Sequence, residues 1–135
     1  MERSLAFWRD ALGMREVVRQ QKQGGYFEAI VGEPGVDVEI VHLAFDHEGP
    51  RVELFAFGSP RREAHVSRPA DVGFAHVCVV CDELDELLAR LVAAGGVPVS
   101  TPVEIDSGVN AGGRALYVRD PDGHVLELFT PAAAR

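Results

Sequence analysis

Arg51-Val52-Glu53-Leu54-Phe55 and Val125-Leu126-Glu127-Leu128-Phe129 place the same apolar run, broken by one glutamate, near the end of each half of a 135-residue chain. Such a repeat constrains the fold more than any composition figure, because it asks for two similar units finishing on the same kind of strand. The second half is the easier to parse. Residues 73–81 are apolar and rich in β-branched side chains, which predicts a strand. Asp82 is the expected helix N-cap, and Asp85 favours the positive end of the helix that follows. Leu84, Leu87, Leu88, Leu91 and Val92 recur at helical spacing and predict one buried stripe. Gly95-Gly96 then stops the helix. Further strands are expected at 97–103, 113–119 and 124–129, the last two joined by the turn Asp120-Pro121-Asp122-Gly123.

The first half repeats that order with one piece missing. Leu5, Trp8 and Leu12 form a helical stripe that Gly13 ends, and strands are expected near 14–20, 26–31, 37–45 and 51–57, the final pair joined across residues 46–50. A single 135-residue domain then divides into a first module (1–58), a linker (59–72) punctuated by Ser59-Pro60, Pro69 and Asp71, and a second module (73–131). No strand precedes the first helix. With the two helices superposed, Met1 matches Leu84, and the counterpart of His76 falls about eight residues before Met1.

Composition removes several classes of function. At 47% apolar and 25% charged residues, the chain has the profile of a soluble globular protein, long enough to bury a core without disulfides. No apolar run reaches the roughly 20 residues of a membrane span, and Met1-Glu2-Arg3-Ser4 lacks the layout of a signal peptide. A cytoplasmic location follows by elimination. The net charge of −8 argues against nucleic acid as partner. Arg61, Arg62 and Arg68 are the one local basic cluster, expected to be a solvated loop. Cys78 and Cys81 have C-x-x-C spacing but fall within a strand, where residues three apart point to opposite faces. Packing, rather than redox chemistry or a shared metal, is the expected role of both.

Chemistry is expected at Glu53, His76 and Glu127. A carboxylate within Leu, Val and Phe is costly to bury ionised unless it is paired or bound to a metal. Its competing explanation is an edge strand with the glutamate facing solvent, and recurrence in both halves favours function. One imidazole and two carboxylates suit a divalent Zn, Ni, Mn or Fe ion. Phe55 and Phe57 share a strand face with Glu53, and Phe129 shares one with Glu127. His42 alternates with Val41 and Leu43 and could line a pocket. His47 and His124 are expected to face solvent. No phosphate loop, nucleophile elbow or H-E-x-x-H sequence is present.

Three stretches resemble a known family. Ser4-Leu5-Ala6-Phe7-Trp8-Arg9-Asp10-Ala11-Leu12-Gly13 is similar to its first-helix signature. Ala75-His76-Val77, followed by Asp82 and Leu84, resembles the opening of its second module. Tyr117-Val118-Arg119-Asp120-Pro121-Asp122-Gly123-His124-Val125-Leu126-Glu127-Leu128 resembles its most specific stretch. By these residues the chain resembles the vicinal oxygen chelate superfamily of glyoxalases, bleomycin resistance proteins and ring-cleaving dioxygenases, from about Ser4 to Pro131.

The resemblance implies an α+β fold of paired βαβββ modules, forming a curled mixed sheet around a cleft with helices outside. It implies a divalent metal held by one residue from each of four strands, with Glu53, His76 and Glu127 matching three. Such a metal chelates two neighbouring substrate oxygens and stabilises an enolate or enediolate, while Glu127 or Glu53 moves the proton. Residues 32–36 and the hairpin after them look most like the glyoxalase-I-like and epimerase-like branch of lyases and isomerases. Phe55, Phe57, Cys78, Phe129 and His42 are the expected substrate contacts, and a homodimer is the expected assembly. The first-strand ligand has no counterpart here, as though Met1 were an internal methionine of a longer product or the strand had been lost. The alternative function is a resistance protein that sequesters a small molecule such as an antibiotic without chemistry. A ring-cleaving dioxygenase fits less well, because those carry two such domains.

Overall fold

Residues 1–64 and 65–135 make two units in the computed structural model, which describes every residue except Glu48, Arg62, Ala64, Ala134 and Arg135. In the first unit, α1 (Glu2–Leu5) runs directly into a π-helical stretch, Ala6–Ala11. The amide of Leu12 donates to the carbonyl of Phe7 at 2.9 Å, an i to i−5 bond. The wider turn lets Phe7 be buried alongside Leu5, Trp8 and Leu12, which a regular 3.6-residue stripe does not predict. Gly13, at φ +91°, ends the helix as its sequence position suggests.

Strands β1 (Arg15–Gln23), β2 (Asp37–Ala44) and β3 (Val52–Ser59) form an antiparallel sheet in the order β1-β2-β3. β1 continues past the expected 14–20 because Gln21, Lys22 and Gln23 pair with Glu39, Val38 and Asp37, a polar extension that apolar patterning does not flag. The expected strand at 26–31 is instead a helix, α2 (Tyr26–Val31). A six-residue apolar run without alternation is ambiguous by periodicity. Here Phe27 and Val31 share a helical face and pack with Val36, Val38, Ile40 and Phe57. Gly25 before the helix and Gly32 after it both take positive φ.

The second unit contains β4 (Val77–Val80), α3 (Leu84–Ala93), β5 (Val97–Pro98), β6 (Val103–Glu104), β7 (Arg114–Arg119) and β8 (Val125–Thr130). Their order is β4-β8-β7-β5, with β6 also on β7. β4 lies parallel to β8, an arrangement that requires a long crossover, and α3 supplies it. β4 is shorter than the expected 73–81, since residues 73–76 precede its pairing with β8. The expected strand at 97–103 is two short strands, and each pairs with a different part of β7.

α3 packs against β8 and β5, with Leu84, Leu87 and Leu91 buried. Val92, expected in that stripe, is 44% exposed. Glu83 rather than Asp82 is the N-cap, and no side chain caps the helix. Leu126 and Leu128 of β8 and Leu116 and Val118 of β7 are buried, which leaves Glu127 and Tyr117 on the opposite face by simple alternation. Between these strands the buried Asp120 carboxylate accepts the amides of Asp122 and His124, both at 2.9 Å, and Gly123 has φ +92°.

The fold is thus α+β with a repeated unit, as expected, its strands paired in one antiparallel and one mixed sheet. Arg68 of the basic cluster pairs with Asp71, while Arg62 lies outside the described residues, as does Glu48 of the first turn. Among the described residues no helix is long and apolar enough to cross a membrane.

Candidate metal and substrate site

Glu127 sits in the middle of β8, which is flanked on both sides. Cys78 of β4 is its neighbour across one interface and Tyr117 of β7 its neighbour across the other. His76, just before β4, brings Nε2 to 3.1 Å from Glu127 Oε2. Its ring is held between two aromatics, with centroids 5.0 Å from Tyr117 and 5.8 Å from Phe74. The structure therefore brings together two of the three residues predicted as ligands. Their side chains keep 30% and 27% of their surface, enough to be reached by a small molecule or an ion.

A cavity of about 250 Å³ opens on this face, lined by Ser100, Val103, Ala115, Leu116, Tyr117 and Glu127. That is just below the roughly 300–1,000 Å³ of ligand pockets, so it suits a small molecule or one end of a larger one. Phe129, half-buried, lies two residues along from Glu127 on the same face. Cys78 is exposed, which overturns the packing role expected for it. Desolvation of its sulfur and, after that, the charge of Glu127 hold its thiol above the usual range. At neutral pH it is a thiol, with neither the nucleophilicity nor the metal affinity of a thiolate. Cys81, on the other side of the strand, lies 3.8 Å from the Thr130 hydroxyl.

Glu53 belongs to the first unit. It stands on β3, an edge strand, with its side chain 49% exposed. The burial cost that motivated interest in it is therefore small there. Its cross-strand partner is His42, whose Nδ1 lies 3.4 Å from Glu53 Oε1 and whose Nε2 lies 3.5 Å from the Gln20 amide. Farther along the same face, Phe55 packs edge-on against Phe27 and Phe57, with centroids 5.8 and 6.0 Å apart. Phe55, Phe57 and His42, all predicted substrate contacts, thus share one face of the first sheet. His47 and His124 are exposed, as expected.

Tyr117 did not stand out from the other aromatics in the sequence, although it touches the imidazole at the centre of the site. The signal for it was the Asp120–Gly123 turn. Once the turn is assigned, antiparallel register places Tyr117 opposite Glu127.

The donors fit two positions of a metal ion. An imidazole nitrogen and a carboxylate oxygen each lie roughly 2.0–2.2 Å from a bound zinc-like ion, so two such ligands stand about 3.0–3.5 Å apart. The 3.1 Å separation of His76 and Glu127 meets that requirement. Among the described residues, no group of three or more His, Cys, Asp or Glu side chains is gathered to hold an ion; the donors come in pairs.

Comparison with known proteins agrees with the family resemblance and the fold. The chain is 34% identical over 86 residues to biphenyl-2,3-diol 1,2-dioxygenase 3 of Rhodococcus globerulus, a match covering 64% of this chain and 43% of that protein. The chain thus spans less than half of that relative's length. A glyoxalase family protein from Bacillus cereus superposes with a TM-score of 0.83 at 21% identity, covering 98% of this chain and 87% of the other. A glyoxalase/bleomycin resistance protein/dioxygenase domain from Frankia sp. EAN1pec superposes with a TM-score of 0.67 at 19% identity, covering 100% and 86%. These structural likenesses establish the fold. Residues 1–128 match the profile of one family across nearly the whole chain, and the protein belongs to it: the Glyoxalase/Bleomycin resistance protein/Dioxygenase superfamily.

Proposed function

We propose that this chain is a metal-dependent lyase or isomerase acting on a small molecule with two neighbouring oxygens, its metal bound at the His76–Glu127 pair of the second unit. The His76–Glu127 pair carries the proposal, with its 3.1 Å separation beside a cavity that Glu127 itself lines. A bound divalent ion supplies Lewis acidity, stabilising negative charge that develops on substrate oxygen. The remaining work falls to the protein. Phe74 and Tyr117 hold the His76 ring in place, Phe129 offers an apolar wall, and Glu127 takes a proton from the carbon beside an oxygen. A cytoplasmic homodimer is part of this proposal, by resemblance to the family.

A second reading, ring cleavage of a catechol, is favoured by the identity to a biphenyl-diol dioxygenase, whose named substrate also carries two adjacent oxygens. Metal analysis and thermal shift with Zn²⁺, Ni²⁺, Mn²⁺ and Fe²⁺ test both readings. We expect stabilisation by at least one ion, with its loss and the loss of turnover in Glu127→Gln. Turnover retained in that variant would contradict the proton-transfer role. Oxygen uptake with a catechol and Fe²⁺ would select the second reading. Absence of any metal effect, together with tight binding of an apolar ligand, would instead identify a sequestering protein.

A further inference from the structure

The cavity beside Glu127 is lined chiefly by uncharged groups. Val103, Ala115 and Leu116 are apolar, Ser100 and Tyr117 are polar but neutral, and Glu127 brings the one carboxylate among the described lining residues. Strand register explains the grouping. Val103 is the cross-strand partner of Ala115, and Tyr117 that of Glu127, so these four side chains share one face of the second sheet.

The arginines of this unit are engaged elsewhere. Arg114 alternates with Ala115 and so belongs to the other face, where its guanidinium donates to Asp85 of α3 at 2.8 Å. Arg90 is on that same helix. Arg119 shares the face of Tyr117, but its guanidinium donates to the carbonyls of Gly123 and Ser67, both at 3.0 Å, which draws it to the turn. Arg68 pairs with Asp71. His76, the basic group next to Glu127, is already its partner. Among the described residues no guanidinium or ammonium group lines the cavity.

An anionic group entering such a cavity would leave water for an apolar wall, find no cation to meet it, and lie close to the Glu127 carboxylate. The charge of a divalent ion at His76 and Glu127 is balanced by that carboxylate and an ionising substrate oxygen, so it offers no counter-charge to a second anionic group. We propose that the substrate of this site is uncharged apart from its two chelating oxygens: an apolar hydroxy ketone, diketone or diol, rather than a carboxylic acid or a phosphate ester. The inference rests on the reading of this cavity as the substrate site and narrows the class of molecule it takes.

Titration calorimetry of the full chain, with and without Zn²⁺ or Mn²⁺, provides the test, using protocatechuate and its amide, two catechols of the same shape that differ by one negative charge. We expect the amide to bind the wild type about tenfold or more tightly than the acid. Val103, on the rim and 55% exposed, can be replaced without disturbing the core. In Val103→Lys the acid should bind about two- to fivefold more tightly than in the uncharged control Val103→Gln, with the amide unaffected. Equal or tighter binding of the acid by the wild type would overturn the inference, and dependence of that binding on metal would leave the proposed function standing. A preference for the amide that needs no metal would uphold the inference and contradict the metal-dependent reading. Binding of neither probe under any condition would overturn the inference and leave the metal reading to its own thermal-shift test.

Discussion

The strands that end the two units carry nearly the same five residues, yet they occupy different surroundings. Among the described residues β8 is interior, with β4 on one side and β7 on the other, while β3 pairs with β2 alone. Glu127 consequently receives His76 from beside β4 and Tyr117 from β7. Glu53, on the edge strand of its sheet among the described residues, takes its imidazole from β2, at the position corresponding to Tyr117. The glutamates differ in exposure as well, with 27% of the Glu127 side chain accessible against 49% for Glu53. A repeated sequence pattern therefore specifies a strand and the face its glutamate takes. The neighbours that give the carboxylate its chemistry depend on which other strands are present.

Substitutions in the apolar positions should show this contrast most strongly. Leu128 is fully buried in β8, so Leu128→Ala should cost about 2–5 kcal/mol in urea unfolding. Leu54, its counterpart on the edge strand, is only half-buried, and Leu54→Ala should cost clearly less. Equal losses would mean that β3 is as well covered as β8, and would break the comparison.

The turns before the two strands sharpen it. Asp120→Ala leaves two backbone amides without their acceptor in a buried turn, and about 1–3 kcal/mol should be lost. Asp46 in the first unit's turn is 91% exposed, and its pair with Arg15 is a surface contact. Asp46→Ala should stay within about 0.5 kcal/mol.

The smallest effect concerns Cys78. Desolvation and the negative charge of Glu127 both favour its protonated form, so its thiolate appears only above the usual thiol range. Removing that charge in Glu127→Gln lowers the thiol pKa, raises the thiolate fraction at any given pH, and should speed iodoacetamide alkylation by about two- to tenfold at pH 8. Cys81, whose thiol is raised chiefly by burial, serves as the internal control. An unchanged Cys78 rate would show that the two side chains do not interact.

Much of this architecture was legible from local patterns. The α3 stripe, the Asp-Pro-Asp-Gly turn, both glutamate strands and the glycine that stops the first helix all follow from spacing and turn chemistry. Errors arose where local patterns carry two meanings. Residues 26–31 make an apolar run with no periodicity, and only the packing of Phe27 and Val31 onto Val36, Val38 and Ile40 selects a helix. The π-helical stretch at Ala6–Ala11 escapes any 3.6-residue pattern, since burial of Phe7 with Trp8 is what the extra residue accommodates.

The recurring Val/Leu-Glu-Leu-Phe strands, with His76 opening the second unit, were determined by the sequence alone, because alternation and turn residues act over a few positions. Tertiary structure decided the partners. The carboxylate of Glu127 meets His76 across 51 positions of chain, and Glu53 meets His42 rather than a cationic side chain. Strand order and register choose such contacts, and these depend on the packing of whole units, which no local stretch of residues encodes.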